Sequence, residues 1–168
     1  MSSTVATSPK EPIKTSKVSG RRELHFNNLA EIQADAERLV AGPTRQLGNW
    51  TLGTALSHLA RTMKMSLDGA TWKAPFLLRM IAPLFKKGLL RGKMKPGFKL
   101  PGYAAADLMP EAPISNERDM SELKTQIERL NREQQRAPSP FFGPMTREEW
   151  NELHCRHAEL HLSFFVPG

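Results

Sequence analysis

The stretch Thr146-Arg-Glu-Glu-Trp-Asn-Glu-Leu-His-Cys-Arg-His-Ala-Glu-Leu-His161 decides the fold. Thr146 followed three residues later by Glu149 is the capping-box signature of a helix start, and Glu148 and Glu149 fill the first turn with the charge that an N-terminus favours. The helix should run through Trp150, Leu153, His157, Leu160 and His161 to about Phe164. At ~100° per residue, His154, His157 and His161 fall within roughly 60° of one another and form one stripe. Side chains at i and i+4 have Cβ atoms ~5–6 Å apart. His157 and His161 are such a pair, and their imidazoles can reach one ion at nitrogen–zinc distances of ~2.0–2.1 Å.

Two imidazoles make a poor site, and the third is sought on a facing helix. Leu52, Ala55, Leu56, Leu59, Ala60 and Met63 mark an apolar stripe on a helix from about Trp50 to Leu67, ended by Gly69. His58 lies in its middle, beside the stripe, and is the only histidine on another long helix. Three neutral histidines leave a coordination position open, which is the catalytic rather than the closed structural type of zinc site. The plain alternative for His58 is a hydrogen-bonded core histidine. His154, one turn before the pair, is a candidate acid/base or a residue that orients a ligand. His25 reads as an ordinary residue before the first helix. Glu159 points away from the stripe and is expected in solvent. Cys155 reads as a core or boundary thiol, Asp68 as structural, and Trp50, Trp72 and Trp150 as packing residues.

Two further helices complete the pattern. Asn28, with Glu31 three residues on, starts one that Gly42-Pro43 stops. Met120, Leu123, Ile127 and Leu130 define another over about 117–135. Four main helices with inward apolar faces predict an all-α, four-helix bundle. No strand pair is evident. Residues 1–22, rich in Ser, Thr, Lys and Pro, read as a disordered basic N-terminal tail, leaving 23–168 as the domain. Between the second and third main helices lies a long, partly helical basic excursion. Phe76–Leu90 reads as a helix kinked or split at Pro83, and the punctuators Gly92, Pro96, Gly97, Pro101 and Gly102 predict extended chain beyond it.

The segment Asn49-Trp-Thr-Leu-Gly-Thr-Ala-Leu-Ser-His-Leu-Ala60 resembles the second-helix motif of the DinB/YfiT-like metal-binding bundles. Pro140–His161 resembles the fourth-helix motif of one uncharacterised branch of that superfamily, a domain of unknown function. Gly20-Arg-Arg-Glu-Leu-His-Phe26 fits the same branch. The resemblance covers roughly residues 20–168. It implies a DinB/YfiT-like four-helix bundle in which His58, His157 and His161 bind zinc, nickel or a similar divalent ion. It also implies either a metal-dependent hydrolase using metal-bound water, or a transferase using a low-molecular-weight thiol.

The net charge of +7 allows nucleic acid, membrane surface or anionic small molecules as partners. From Lys73 to Lys99 there are eight basic residues and no acidic one, interleaved with apolar residues. The plain reading is a helix that packs its apolar side on the bundle and leaves a solvated basic face. The rivals are an amphipathic helix for a membrane surface or protein partner, nucleic-acid binding (for which no motif is present), and a basic lid over the metal. The alternative function is therefore a non-catalytic basic binding module with a structural or vestigial metal site. No run approaches the ~18 apolar residues of a membrane span. The N-terminus lacks a secretory h-region, and the single cysteine fits a reducing compartment. The expectation is a cytoplasmic protein acting on a small, anionic substrate, with a homodimer among the expected states.

Overall fold

Polar side chains cap the starts of four of the helices. The computed structural model describes residues 12–97, 101–110 and 115–168. Asn28 accepts the Glu31 N–H at 3.0 Å to open α1 (Leu29–Ala41). Thr51 accepts the Thr54 N–H at 3.1 Å to open α2 (Leu52–Asp68), which Gly69 ends at φ +91°, where a side chain would be strained. After α3 (Phe76–Arg91) and the short α4 (Gly102–Leu108), Ser115 caps α5 (Asn116–Arg132). Thr146 and Glu149 make the full reciprocal capping box at the head of α6 (Arg147–Leu162). In α1 the reciprocal half is displaced by one residue: Glu31 accepts from the Asn27 backbone N–H instead of the Asn28 backbone N–H.

The protein is mostly helical, with six α-helices among the described residues. Helices α1, α2, α5 and α6 share one core. Ile32 and Leu39, Leu56, Leu59 and Met63, Leu123, Ile127 and Leu130, and Ala158 and Leu162 meet there out of water. Helices α2 and α6 run antiparallel, since Ser66 faces His154 while His58 faces His157.

Five features differ from the sequence reading. First, a strand pair exists: β1 (Thr44–Gln46) lies antiparallel to β2 (Phe165–Pro167), with Thr44 opposite Pro167. Each strand is too short to show alternation, and the partners come from distant parts of the chain. Second, α4 interrupts the excursion expected to be extended; it buries Ala104 and Leu108 against Trp72. Residues 98–100 and 111–114 of that excursion lie outside the described residues. Third, α3 is not split at Pro83, and it turns its apolar stripe outward. Its inner side holds Ala82, Leu90 and Lys86, whose Nζ pairs with Glu149 at 2.6 Å.

Fourth, Glu159 is buried. The segment before α1 packs across α6, and Glu159 accepts the Phe26 N–H at 2.6 Å and pairs with Arg156 at 2.7 Å. Arg156 also donates to the Phe26 carbonyl and to His25 Nδ1. Fifth, the end of the expected tail is docked. Arg22 forks onto the Asp35 carboxylate at 2.8 and 2.7 Å. Arg21 donates to Ser163 Oγ at 2.7 Å and lies 4.3 Å from the Phe164 ring centre. Residues 1–11 of that tail lie outside the described residues.

Candidate metal centre

Helix α2 carries three polar residues at four-residue spacing, His58, Thr62 and Ser66, and so on one face. Helix α6 presents His161, His157 and His154 to them in reverse order. Among the described residues, His58, His157 and His161 form the group of side chains that could hold a metal ion, with one nitrogen from each within 4.8 Å of the others. His58 Nε2 lies 3.2 Å from His157 Nε2, and His161 Nε2 lies 3.0 Å from the same atom. Two nitrogens bound to one tetrahedral zinc at ~2.0–2.1 Å stand about 3.3 Å apart. The donor set therefore fits a divalent cation of that size.

The surrounding groups fix the rings for this purpose. His58 Nδ1 sits 2.9 Å from the Leu108 carbonyl of α4. A carbonyl only accepts, so Nδ1 carries the proton and Nε2 presents its lone pair. Thr62 gives its hydroxyl proton to the Leu59 carbonyl at 2.8 Å and can only accept from His157 Nδ1, 3.5 Å away. With its proton on Nδ1, His157 presents a bare Nε2 as well. A proton on His161 Nε2 can bridge to His157, but none remains for the contact between His58 and His157. Two facing lone pairs at 3.2 Å repel unless a cation lies beside them.

Protonation is disfavoured throughout. Burial holds His58 below the usual imidazole range, against an opposing pull from the Leu108 carbonyl. Burial, then the neighbouring His161 and His58 rings, hold His157 well below it. Burial, then His58 and Arg21, do the same for His161. Neutral rings are the ligand form. Trp50, read from sequence as a packing residue, lies over the group: its ring stacks on His161 at 4.8 Å with an interplanar angle of 4° and meets His58 edge-on at 5.0 Å. Trp50, Thr62, Leu108 and Arg21 escaped the sequence reading. Only Thr62 left a trace there, one turn after His58 on the same face.

His154 stands apart from the three. It is buried, faces Ser66 Oγ at 2.9 Å and stacks on Trp150 at 5.6 Å. Ser66 donates to the Met63 carbonyl, so it accepts from His154 Nε2–H. Burial, with a smaller contribution from Arg136, pushes the His154 pKa down to about 3. Between pH ~6.5 and this value the unfolded chain holds a proton that the folded chain lacks, so acid favours unfolding. With metal removed by chelation, His154→Gln should flatten the fall in stability below pH 6.5 by about 1.4 kcal/mol per pH unit, one proton's worth. Urea unfolding of both proteins at pH 7, 6 and 5 measures this; equal slopes would show that His154 is not the group responsible.

Cys155 is buried, and burial pushes its thiol up to about 11. In the native protein it should react with a neutral-pH thiol reagent at least about a hundredfold more slowly than in urea-unfolded chain, as a buried thiol with little thiolate does. Comparable rates would contradict the burial. Asp68 is structural as expected: Arg129 first and Lys64 second hold its carboxyl down at about 2. A cleft of about 750 Å³ opens beside Ser57, Arg61, Asp107, Leu108 and Asp119. It touches the back of Leu108, and none of the three histidines lines it.

Residues 18–168 match the model of one protein family, described as a protein of unknown function (DUF1569). No curated protein and no solved structure matches the chain.

Proposed function

The chain belongs to the DUF1569 family, proteins of unknown function, and we propose that its three converging imidazoles hold one divalent ion, zinc or nickel, in a metal-dependent enzyme. The observation that carries the reading is the convergence of the three rings, with His58 Nε2 and His161 Nε2 lying 3.2 and 3.0 Å from His157 Nε2. The sharing of one core by α1, α2, α5 and α6, with one ligand from the second long helix and two from the last, supports placing the domain among the DinB/YfiT-like four-helix bundles. Bound by three neutral ligands with a position to spare, such an ion supplies Lewis acidity toward a carbonyl-like electrophile or a small thiol.

The chain's own residues define the rest. Leu108 and Thr62 orient two ligand rings, and Trp50 shields one side of the site from water. The Arg21 guanidinium, held by Ser163 and the Leu160 carbonyl, adds positive charge near His161. That favours an anionic substrate or a thiolate. We assign His154 the role of a positioning residue, since it bridges α6 to Ser66.

Metal analysis of protein purified without a histidine tag tests the first half: about one divalent ion per chain is expected, as for a three-histidine site. Hydrolysis of model esters and transfer of small thiols, each measured before and after chelation, tests the second. Chains that neither carry nor take up zinc or nickel would overturn the proposal. Stoichiometric metal without activity toward either class would reduce it to a structural site.

A further inference from the structure

Helix α3 has its apolar side on the outside of the protein. Phe76, Leu77, Met80, Ile81 and Leu84 follow the i, i+1, i+4, i+5, i+8 spacing of one helical face. Leu77 and Leu84 are 71 % and 80 % exposed, and Phe85 beside them is 69 % exposed. The helix is nevertheless firmly attached. Its own Ala82 and Leu90 are buried on the inner side, and Lys86 is paired to the first turn of α6. Lone exposed apolar residues are ordinary, but a contiguous ridge of six on one preformed helix marks a docking surface.

The charge around the ridge identifies what docks. Lys73, Arg79, Lys87, Arg91, Lys93 and Lys95 are all exposed around it, and no acidic residue occurs between Lys73 and Lys99. A second copy of the chain would bring the same cations against these, so self-association through this face works against charge repulsion. The outer face offers no hydrogen-bonding side chain along its apolar stripe and is a convex ridge. A partner read by shape and hydrogen bonds would find little there. An anionic bilayer needs neither: apolar side chains enter the acyl boundary, while lysine and arginine stems reach back to the phosphates.

We propose that α3 is a membrane-docking helix that lays Phe76, Leu77, Met80, Ile81, Leu84 and Phe85 into the surface of an anionic lipid bilayer. The helix lies on the interface and does not span it: no helix among the described residues is long and apolar enough to cross a membrane. The proposal is independent of the metal site. Lys86 contacts Glu149 at the start of α6, about 18 Å along that helix from His161 at 1.5 Å per residue.

Vesicle flotation tests it. Wild-type full-length chain should float with vesicles of equal phosphatidylglycerol and phosphatidylcholine, and should not float with phosphatidylcholine alone. Leu77→Glu with Leu84→Glu should weaken flotation at least about tenfold, while leaving the basic residues and the three histidines in place. Lys87→Glu with Arg91→Glu, or 0.5 M salt, should weaken it several-fold. Leu77→Ser with Leu84→Ser guards against misfolding of the first variant. Thermal unfolding and metal content of all variants should match wild type. Equal flotation of wild type and both leucine variants overturns the proposal, as does equal binding to neutral vesicles. Failure of wild type to float also overturns it. A wild-type dimer that the leucine variants lack would then assign the face to a second copy, and an acidic protein retained only by wild type would assign it to a protein partner.

Discussion

If the three imidazoles hold a divalent ion as proposed, His157→Ala is expected to strip it from the protein. Its Nε2 contacts both other ligand nitrogens, at 3.2 and 3.0 Å, so its removal leaves His58 and His161 as an unbridged pair. Two imidazoles on separate helices, without the i, i+4 chelate, should lower affinity by more than about a hundredfold, a larger loss than the 10–100-fold typical of an orienting partner. Retained metal after purification and equilibrium zinc binding both read this. Thr62→Val separates positioning from ligation: it keeps all three ligands but removes the acceptor facing His157 Nδ1, and should cost about 10–100-fold. Full zinc occupancy in the alanine variant would mean that the ion sits elsewhere.

The largest expected effect on stability belongs to Glu159→Ala. Arg156 and Glu159 are 8 % and 7 % exposed, and their ion pair is tied at both ends to the Phe26 backbone. Removing the carboxylate strands the Arg156 guanidinium in a dry environment and leaves the Phe26 N–H unpaired. Breaking a buried pair from one side typically costs 3–5 kcal/mol, and about that loss is expected here in urea unfolding. Glu159→Gln keeps an acceptor for Phe26 and should lose less. A loss below about 1 kcal/mol for the alanine variant would place Glu159 among solvated surface pairs instead.

The sequence made the helices legible where their signals were local. Asn28, Gly69, Thr146 and Glu149 each act within a few residues of themselves, and the structure uses them as read. The three converging histidines were legible for a related reason: i, i+4 spacing fixes two of them, and a single histidine on another long helix left little choice for the third. The failures share the opposite property. Periodicity showed that α3 is amphipathic, but not which side would face the protein. Glu159 looked solvated because a carboxylate is rarely buried unless paired, and its partners at Phe26 come from a distant segment. Trp50 stands outside the helix it precedes, so no periodic argument could bring it over His161. The three-residue strands carry too few side chains to show a pattern.

The Leu108 carbonyl has a consequence for how the site behaves. It belongs to α4, in the least regular part of the chain, yet it sets the tilt of an imidazole on α2. The grip on a cation and the seating of that wandering segment are thus thermodynamically joined, and such linkage is reciprocal. Filling the site should slow amide deuteration around Ala104 and Leu108, and anything that prises α4 from Trp72 should loosen the cation in equal measure.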